Sequence, residues 1–299
     1  MFHIFKKAAK TGLVTIGYPQ KSAVIPENFR GAPRFNFSAW RDARPAAEAC
    51  PTGAIEIEES GHRRRVKIDY GLCIYCGQCA EADGSDAIEI TRDFELAAGE
   101  RGDLVMTAEY PLEADGSQGQ LEGLHKGAPS LDKSREDLKR KDLERKLQQR
   151  IQGVLGRSLA IREVDAGSCN GCEIEIAALN NPVYDLERLG IHFVASPRHA
   201  DMLLVTGPVT RNMETALLKT YRATPEPKIV VAVGACGISG GIFGTNYATV
   251  GGVDAVVPVD VFIPGCPPRP HALLHGILLA LGRMEQRRFS GQSMSAELE

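Results

Sequence analysis

The eight cysteines of this 299-residue chain constrain it more than any other feature, because they form two separated sets of four and leave none over. The first set is Cys50, Cys73, Cys76 and Cys79. The second set is Cys169, Cys172, Cys236 and Cys266. No secretory leader is recognisable, and cysteines grouped in this way in a cytosolic chain are more often metal ligands than disulfides. The sequence therefore predicts two metal centres.

The first set has the spacing of an iron–sulfur site. The run CIYCGQC at residues 73–79 is a C-x-x-C-x-x-C motif, which provides three ligands of a [4Fe–4S] cubane, and the fourth ligand is a distant Cys-Pro pair. Cys50 and Pro51 supply that pair here. The alternative is a structural zinc site, but zinc sites usually combine C-x-x-C with a second such pair or with two histidines. The spacing favours one [4Fe–4S] cluster.

An internal repeat at an offset of 33 positions explains why this part of the chain has only four cysteines. Cys50 aligns with Asp83, and both copies continue into the strand-like run Ala-Ile-Glu-Ile. Trp40, Ala43 and Ala46 stand where a two-cluster ferredoxin would place cysteines in its first copy. All four ligands of a second cubane are thus absent together. We predict that Trp40 fills the vacated space and that Asp83 is a surface turn residue.

The second set lies in a region where strand-like and helix-like segments alternate. The predicted strands are Leu159–Val164, Ile191–Ala195, Met202–Thr206, Lys228–Val233 and Val257–Ile263. The predicted helices are Glu173–Leu189, Met213–Tyr221 and Pro270–Arg287. This alternation predicts a parallel sheet, in which ligands gather beyond the carboxyl ends of the strands. Since every cysteine of the second set follows a predicted strand, four thiolates are expected at one sheet edge, the number that a second [4Fe–4S] cluster needs.

The predicted fold class is α/β, in three segments. Residues 1–125 are predicted to form a ferredoxin-like α+β module with one cluster, and residues 157–299 a flavodoxin-like open parallel sheet with the other. Residues 126–156 are predicted to form a linker helix, because leucines recur at helical spacing among many charges.

Composition excludes several functions. The formal net charge of -3 lacks the basic surplus of a nucleic-acid-binding protein. No run of 18 apolar residues is present, so we expect no membrane span and a cytoplasmic location. Nor does the sequence contain a nucleophile–base set, a phosphate-binding loop of the G-x-x-x-x-G-K-[ST] type or a convincing dinucleotide fingerprint.

Two family resemblances follow from these motifs. The first 95 or so residues, with the cluster motif and the segments GYP (17–19) and NFRG (28–31), resemble the ferredoxin-like subunit of respiratory complex I and of formate-hydrogenlyase-type hydrogenases. Residues 159–282 resemble the small subunit of nickel–iron hydrogenases of the energy-converting, complex-I-related group. The motifs that carry this second resemblance are SPRHAD (196–201), VTGPV (205–209) and VDVFIPGCPP (259–268).

The second resemblance implies a role and partners. The second cysteine set would ligate the cluster proximal to a nickel–iron site in a separate large subunit, so this chain would transfer electrons without being catalytic alone. Its other implied partners are membrane subunits of a complex-I-like arm and a further ferredoxin or formate dehydrogenase module. It would sit on the inner face of the membrane through these subunits. The C-x-x-C spacing of Cys169 and Cys172 favours hydrogen chemistry over the quinone chemistry of complex I, whose terminal-cluster subunit has adjacent cysteines there.

Alternatives remain open for the function and for three side chains. The partner complex is either a hydrogenase or a relative that has lost nickel, and a non-redox zinc scaffold is the third hypothesis. Glu173 is either a proton-path carboxylate or a first-turn glutamate stabilised by the helix dipole. Arg198 and His199 either tune the cluster by charge and hydrogen bonding or are structural.

Overall fold

The computed structural model describes residues 6–7, 10–19, 21–127 and 157–290. The predicted linker helix over 126–156 therefore lies, apart from its first two residues, outside the described residues. Within the described part of the chain, none of the helices combines the length and the apolar character that crossing a membrane requires.

The N-terminal part is built from antiparallel strands and two short helices. The strands are β1 (Pro33–Phe35), β2 (Ile55–Ser60), β3 (Arg63–Asp69), β4 (Ile88–Ile90), β5 (Val105–Pro111) and β6 (Gly123–Lys126). The helices are α1 (Arg44–Glu48) and α2 (Gln78–Ala82). Strand β1 pairs with β4, and the other four form a sheet in the order β2-β3-β5-β6. The unit β1-α1-β2 recurs as β3-α2-β4, which confirms the duplicated, ferredoxin-like organisation.

The C-terminal part contains a five-stranded parallel sheet. Its strands are β7 (Leu159–Asp165), β8 (Ile191–Phe193), β9 (Met202–Thr206), β11 (Ile229–Val233) and β13 (Val261–Ile263), in the spatial order β13-β11-β9-β7-β8. The helices are α3 (Gly171–Ala178), α4 (Arg211–Ala223), α5 (Gly234–Ser239) and α6 (Pro270–Ser290). Counted along the chain, the strand order is 2-1-3-4-5, which confirms the flavodoxin-like prediction. A small antiparallel pair joins β10 (Val209–Thr210) to β12 (Thr249–Gly251).

Two predicted elements are shorter than expected by four residues or more. The helix predicted to run to Leu189 ends at Ala178, because the Asn181 side chain accepts the backbone N–H groups of Val183 and Tyr184 and so forms a turn. The strand predicted from Val257 begins only at Val261, after a 3-10 turn over Val253–Ala255. In both places, backbone groups that a longer helix or strand would have paired form hydrogen bonds within a local turn instead.

The residues that replace the missing cluster ligands form part of the core. Trp40 is 2% exposed, and both Ala43 and Ala46 are fully buried. The indole ring lies 5.4 Å from the ring of Phe35 and 6.2 Å from that of Phe37, measured between centroids. The predicted packing role of Trp40 is thereby confirmed.

Trp40 is expected to stabilise the fold without affecting cluster content. Trp40→Ala should lower the free energy of unfolding by about 3–5 kcal/mol, because a large aromatic side chain leaves a cavity that the core cannot fill. Iron bound per folded chain should not change. Denaturant unfolding followed by circular dichroism, with iron analysis of the same samples, checks both points. The milder Trp40→Phe variant serves as the control, and a loss of iron in it would contradict the purely structural role.

A buried arginine network beside Trp40 was not anticipated from the sequence. Arg64 is fully buried, and its guanidinium pairs with Glu59 at 2.7 Å and Asp42 at 3.0 Å. Gln118 accepts a further hydrogen bond from Arg64 and donates one to the backbone oxygen of Trp40. The alternation of polar and apolar residues along β3 does not predict this network, because the partners of Arg64 come from three separate segments.

Asp83 is not a surface residue, contrary to the prediction. It is 8% exposed, and its carboxylate accepts hydrogen bonds from the N–H and hydroxyl of Ser85 and from the N–H of Ala87. The side chain organises the turn between α2 and β4 from the inside. The prediction that Asp83 forms a turn is confirmed, but the prediction that it is exposed is wrong. Three donors in the loop form hydrogen bonds with the carboxylate, so it does not need water.

The N- and C-terminal parts pack directly against each other. Ala98 and Phe262 exchange two backbone hydrogen bonds, and the Ser239 hydroxyl donates to the backbone oxygen of Gly71. His271 is 4% exposed at this junction, where its ring contacts Tyr18 and two other aromatic rings at centroid distances of 5.2–5.6 Å. Each of the two buried apolar clusters of the described residues contains side chains from both parts.

The buried imidazole should make stability depend on pH. Burial, aided by the positive charge of Arg269, lowers the pKa of His271 to about 4. The unfolded chain takes up a proton below about pH 6.5 while the folded chain does not, so stability should fall by about 1–3 kcal/mol as the pH drops from 6.5 toward 4. Urea unfolding at about pH 7.5 and pH 5.5 should show a smaller difference for His271→Phe than for the unmodified chain. His199→Phe, at an exposed histidine, is the control, and equal pH slopes in all three proteins would refute the assignment.

Candidate metal centres

The first cysteine set converges on one apolar pocket. Its four thiols line this pocket together with Ile55, Ile68 and Ile90. Burial raises the pKa of the Cys73 thiol to about 12 and that of Cys79 to about 11, and the neighbouring thiols of the set add to both shifts. Thiols with such raised pKa values, those of Cys73 and Cys79, lose their protons when they bind a metal. The predicted convergence of these residues is observed.

Local backbone geometry shapes the loop that carries three of these thiols. Tyr75 and Gly77 have positive φ angles of 57° and 87°, which turn the chain so that successive cysteines face inward. The Arg30 guanidinium donates a 2.7 Å hydrogen bond to the backbone oxygen of Cys76. On the opposite side, the backbone N–H of Ala54 donates to the sulfur of Cys50 at 3.2 Å. Arg30 therefore fixes the loop that carries three thiols, and Ala54 orients the sulfur of the fourth.

The second set meets at the carboxyl edge of the parallel sheet. Cys169 and Cys172 follow β7 at the start of α3, Cys236 lies in α5 after β11, and Cys266 follows β13. Burial raises the pKa of Cys172, the adjacent Glu173 carboxylate raises it further, and the other three thiols also contribute. Cys169 and Cys266 are exposed, so this site opens to the surface. Topology thus brings together residues that are up to 97 positions apart, as predicted.

Glycines keep the backbone close to the second set of thiols. A Cβ atom at Gly234, where φ is +77°, would lie 2.9 Å from the sulfur of Cys172. One at Gly241, where φ is +56°, would lie 2.8 Å from the sulfur of Cys236. The space around these two sulfurs therefore depends on glycine, which has no Cβ atom, at both positions.

Both sets fit a [4Fe–4S] cluster by the chemistry of their donors. Such clusters are held by four cysteine thiolates, and each set provides four thiols on short loops around a common centre. A site for a single ion is a different matter: within the described residue ranges, no three or more His, Cys, Asp or Glu side chains are grouped closely enough to hold one metal ion.

Glu173 lies beside the second set. One of its carboxylate oxygens accepts a hydrogen bond from the hydroxyl of Thr206, and the other is buried without a hydrogen-bond partner among the described residues. Its charge also raises the pKa of Glu163, whose own burial is the larger cause. The carboxylate is therefore close enough to act electrostatically on both Cys172 and a second acidic side chain, Glu163.

Arg198 and His199 lie at the other end of the sheet. They are exposed in a 3-10 turn that precedes β9, whereas the cysteines follow the ends of strands. A five-residue strand separates its two ends by about 13–16 Å. This placement opposes cluster tuning by these side chains and favours their structural interpretation.

A cavity of about 200 Å³ lies between the two cysteine sets. The first-set loop contributes Ile74 and Tyr75 to its wall, and the second set contributes Cys266. Arg269 also lines it, although sequence reasoning passed over this residue. In the sequence, only its position in the Cys-Pro-Pro-Arg run pointed to a role for Arg269. The aromatic residues that contact it belong to the N-terminal part, so their proximity is not visible in the sequence.

Comparison with known proteins places this arrangement in a family. Residues 169–280 match the family model described as NADH ubiquinone oxidoreductase, 20 Kd subunit. The probable membrane-bound hydrogenase subunit mbhJ of Pyrococcus furiosus is 51% identical over 145 residues, which cover 48% of this chain and 86% of that protein. The chain belongs to this family.

Other relatives of the family come from two kinds of oxidoreductase. Formate hydrogenlyase subunit 7 of Escherichia coli is 56% identical over 131 residues, 44% of this chain and 51% of that protein, so the chain spans about half the length of this relative. An NADH-quinone oxidoreductase subunit of Citrifermentans bemidjiense is 50% identical over 119 residues, 40% of this chain and 69% of that protein. These similar proteins are thus subunits of redox complexes.

Proposed function

We propose that the chain relays electrons through two [4Fe–4S] clusters to or from a nickel–iron centre in a separate large subunit. Cys50, Cys73, Cys76 and Cys79 would hold one cluster. Cys169, Cys172, Cys236 and Cys266 would hold the other. When bound, each cluster supplies one-electron transfer, and the chain itself positions the two clusters and shields the first from water.

The observation that carries the proposal is the cavity between the loop of the first cysteine set and Cys266 of the second. Tyr75 lines both the pocket of the first set and this cavity, while Cys266 of the second set lines the cavity from the other side. Ile74 also lines both, so two adjacent residues and one cavity lie between the sites. The two parts bury apolar side chains against each other, which fixes the position of one cysteine set relative to the other.

Exposed apolar side chains around the second set support a protein partner at that site. Ile174 follows Cys172 by two residues and is 62% exposed, and Ile242 and Phe243 follow Gly241 and are 60% and 48% exposed. Adjacent exposed apolar residues mark interaction surfaces. We propose that the large subunit covers them together with the exposed Cys169 and Cys266.

We further propose that the chain is a fusion of two subunits. Its three relatives described above match 40–48% of its length, and the family model matches residues 169–280. The duplicated unit before residue 95 would then be the ferredoxin-like partner, fused so that the two clusters stay at high effective concentration. Glu173, beside the second set, is proposed to carry protons near the large subunit.

A complex related to complex I but lacking nickel is the second candidate. The 50% identity to an NADH-quinone oxidoreductase subunit favours it, whereas the C-x-x-C spacing of Cys169 and Cys172 and the identity to hydrogenase subunits favour the first. In either case, membrane subunits and a further electron-transfer module are the proposed partners, on the cytoplasmic face of the membrane.

Anaerobic purification of the intact complex tests the proposal. We expect about eight iron and eight sulfide per copy of this chain beyond those of its partners, together with nickel in the large subunit. EPR of the reduced chain should show two interacting cubanes. Nickel absent from an otherwise complete complex would favour the second candidate. About two zinc ions per chain instead of iron would refute electron transfer altogether.

A further inference from the structure

The guanidinium of Arg269 lies between the two cysteine sets, three residues after Cys266. We propose that its positive charge raises the reduction potential of the cluster held by the second set. This inference rests on the proposed two-cluster function and adds a residue that controls how electrons are distributed.

Aromatic side chains of the N-terminal part hold Arg269 in place. Its guanidinium carbon lies 4.7 Å from the ring centroid of Phe29 and 5.7 Å from that of Phe94. Its Nη1 atom is buried and has no hydrogen-bond partner among the described residues. Cation–π contacts stabilise the charge but do not neutralise it. The positive charge of Arg269 therefore remains available to act on the neighbouring cysteine set.

Few other charges face this position. The cavity that Arg269 lines has no acidic side chain in its wall, and its second cation, Arg30, is largely exposed. Glu175, in α3, is the acidic group that senses Arg269, because this arginine lowers the carboxyl pKa that burial raises. No ion pair joins Glu175 to Arg269 within the described structure. Compensation of the guanidinium charge is thus incomplete.

Electrostatics gives the direction of the effect. Reduction adds one negative charge to a cluster, so a nearby fixed positive charge favours the reduced form and raises the potential. A unit charge about 10 Å away in a medium of effective dielectric about 20 changes the ratio of reduced to oxidised cluster by about tenfold or more. The effect should be larger on the second cluster, because Arg269 belongs to the turn that carries Cys266.

Potentiometric titration followed by EPR, on the full chain with its clusters, tests the proposal. In Arg269→Gln and Arg269→Met, the second cluster should become half-reduced at a more negative potential. At the wild-type midpoint, its reduced-to-oxidised ratio should fall by about tenfold. Arg269→Lys should retain most of the wild-type potential, because it keeps the charge. Arg198→Gln, which removes an exposed arginine at the far end of the sheet, is the matched control and should change neither cluster.

Several results would overturn the proposal. These are unchanged midpoints in both neutral variants, an equal shift in the lysine variant, or loss of the second cluster from both neutral variants. The first two would mean that charge is not the cause, and the third would mean that Arg269 acts by holding the site together. Absence of clusters from the unmodified chain is a separate result, which would instead refute the proposed function.

Discussion

Replacing Cys236 with alanine is expected to remove one of two clusters and to lower the iron content from about eight to about four atoms per chain. The remaining three thiols of that set cannot complete a four-thiolate cubane. The first-set pocket should be unaffected, because its lining contains no residue from the C-terminal part. Iron and sulfide assays on the anaerobically reconstituted chain measure the change.

The reciprocal variant gives the control. Cys76→Ala should lower iron by the same amount, but the EPR signal that it leaves should be the one that Cys236→Ala removes. A variant that carries both Cys76→Ala and Cys236→Ala should contain no cubane. An iron content near twelve atoms in the unmodified chain would show a third cluster and would contradict the interpretation of Trp40, Ala43 and Ala46.

Gly234→Ala is expected to lower the occupancy of the second cluster several-fold without unfolding the chain. The added Cβ would lie 2.9 Å from the Cys172 sulfur and 3.3 Å from the backbone oxygen of Gly265. Real Cβ atoms do not approach this closely, so the sulfur must move away from the position in which we propose that it binds the cluster. Alanine at the +77° φ of this position also costs about 1–2 kcal/mol. Iron content and the EPR signal of each cluster measure the effect.

Gly190→Ala separates the two causes. Gly190 has a nearly equal φ of +75°, but nothing lies within 4 Å of a Cβ built there. This variant should show the same backbone cost in thermal unfolding and keep both clusters. If Gly190→Ala lost as much iron as Gly234→Ala, backbone strain would account for the result and the close packing around Cys172 would not.

The spacing of residues predicted much of the site. Cysteines two positions apart, a distant Cys-Pro pair and loops after strands are local patterns with direct geometric consequences. The structure brings each set of four together as those patterns predict, and the strand order of the C-terminal part is the flavodoxin-like one. The offset of 33 positions likewise predicted that Trp40 is buried.

Other features depended on contacts between distant segments. Asp83 reads as exposed because carboxylates usually are, yet the loop that follows it supplies three donors. Arg64 pairs with acidic residues on two other segments, and Arg269 packs on aromatic rings some 175 and 240 positions away. In the Arg64–Asp42 contact and the Arg269 contacts, the two residues lie too far apart in the sequence for a local sequence pattern to include both.

The sequence alone therefore determined which eight thiols are available and how they divide, since ligand identity and loop spacing are local properties. The tertiary structure alone decided that one cavity separates the first-set loop from Cys266 and that Arg269 lies there. The physical reason is that the two parts bury their apolar surfaces against each other, so the charges and distances between the cysteine sets depend on how residues far apart in the chain pack together.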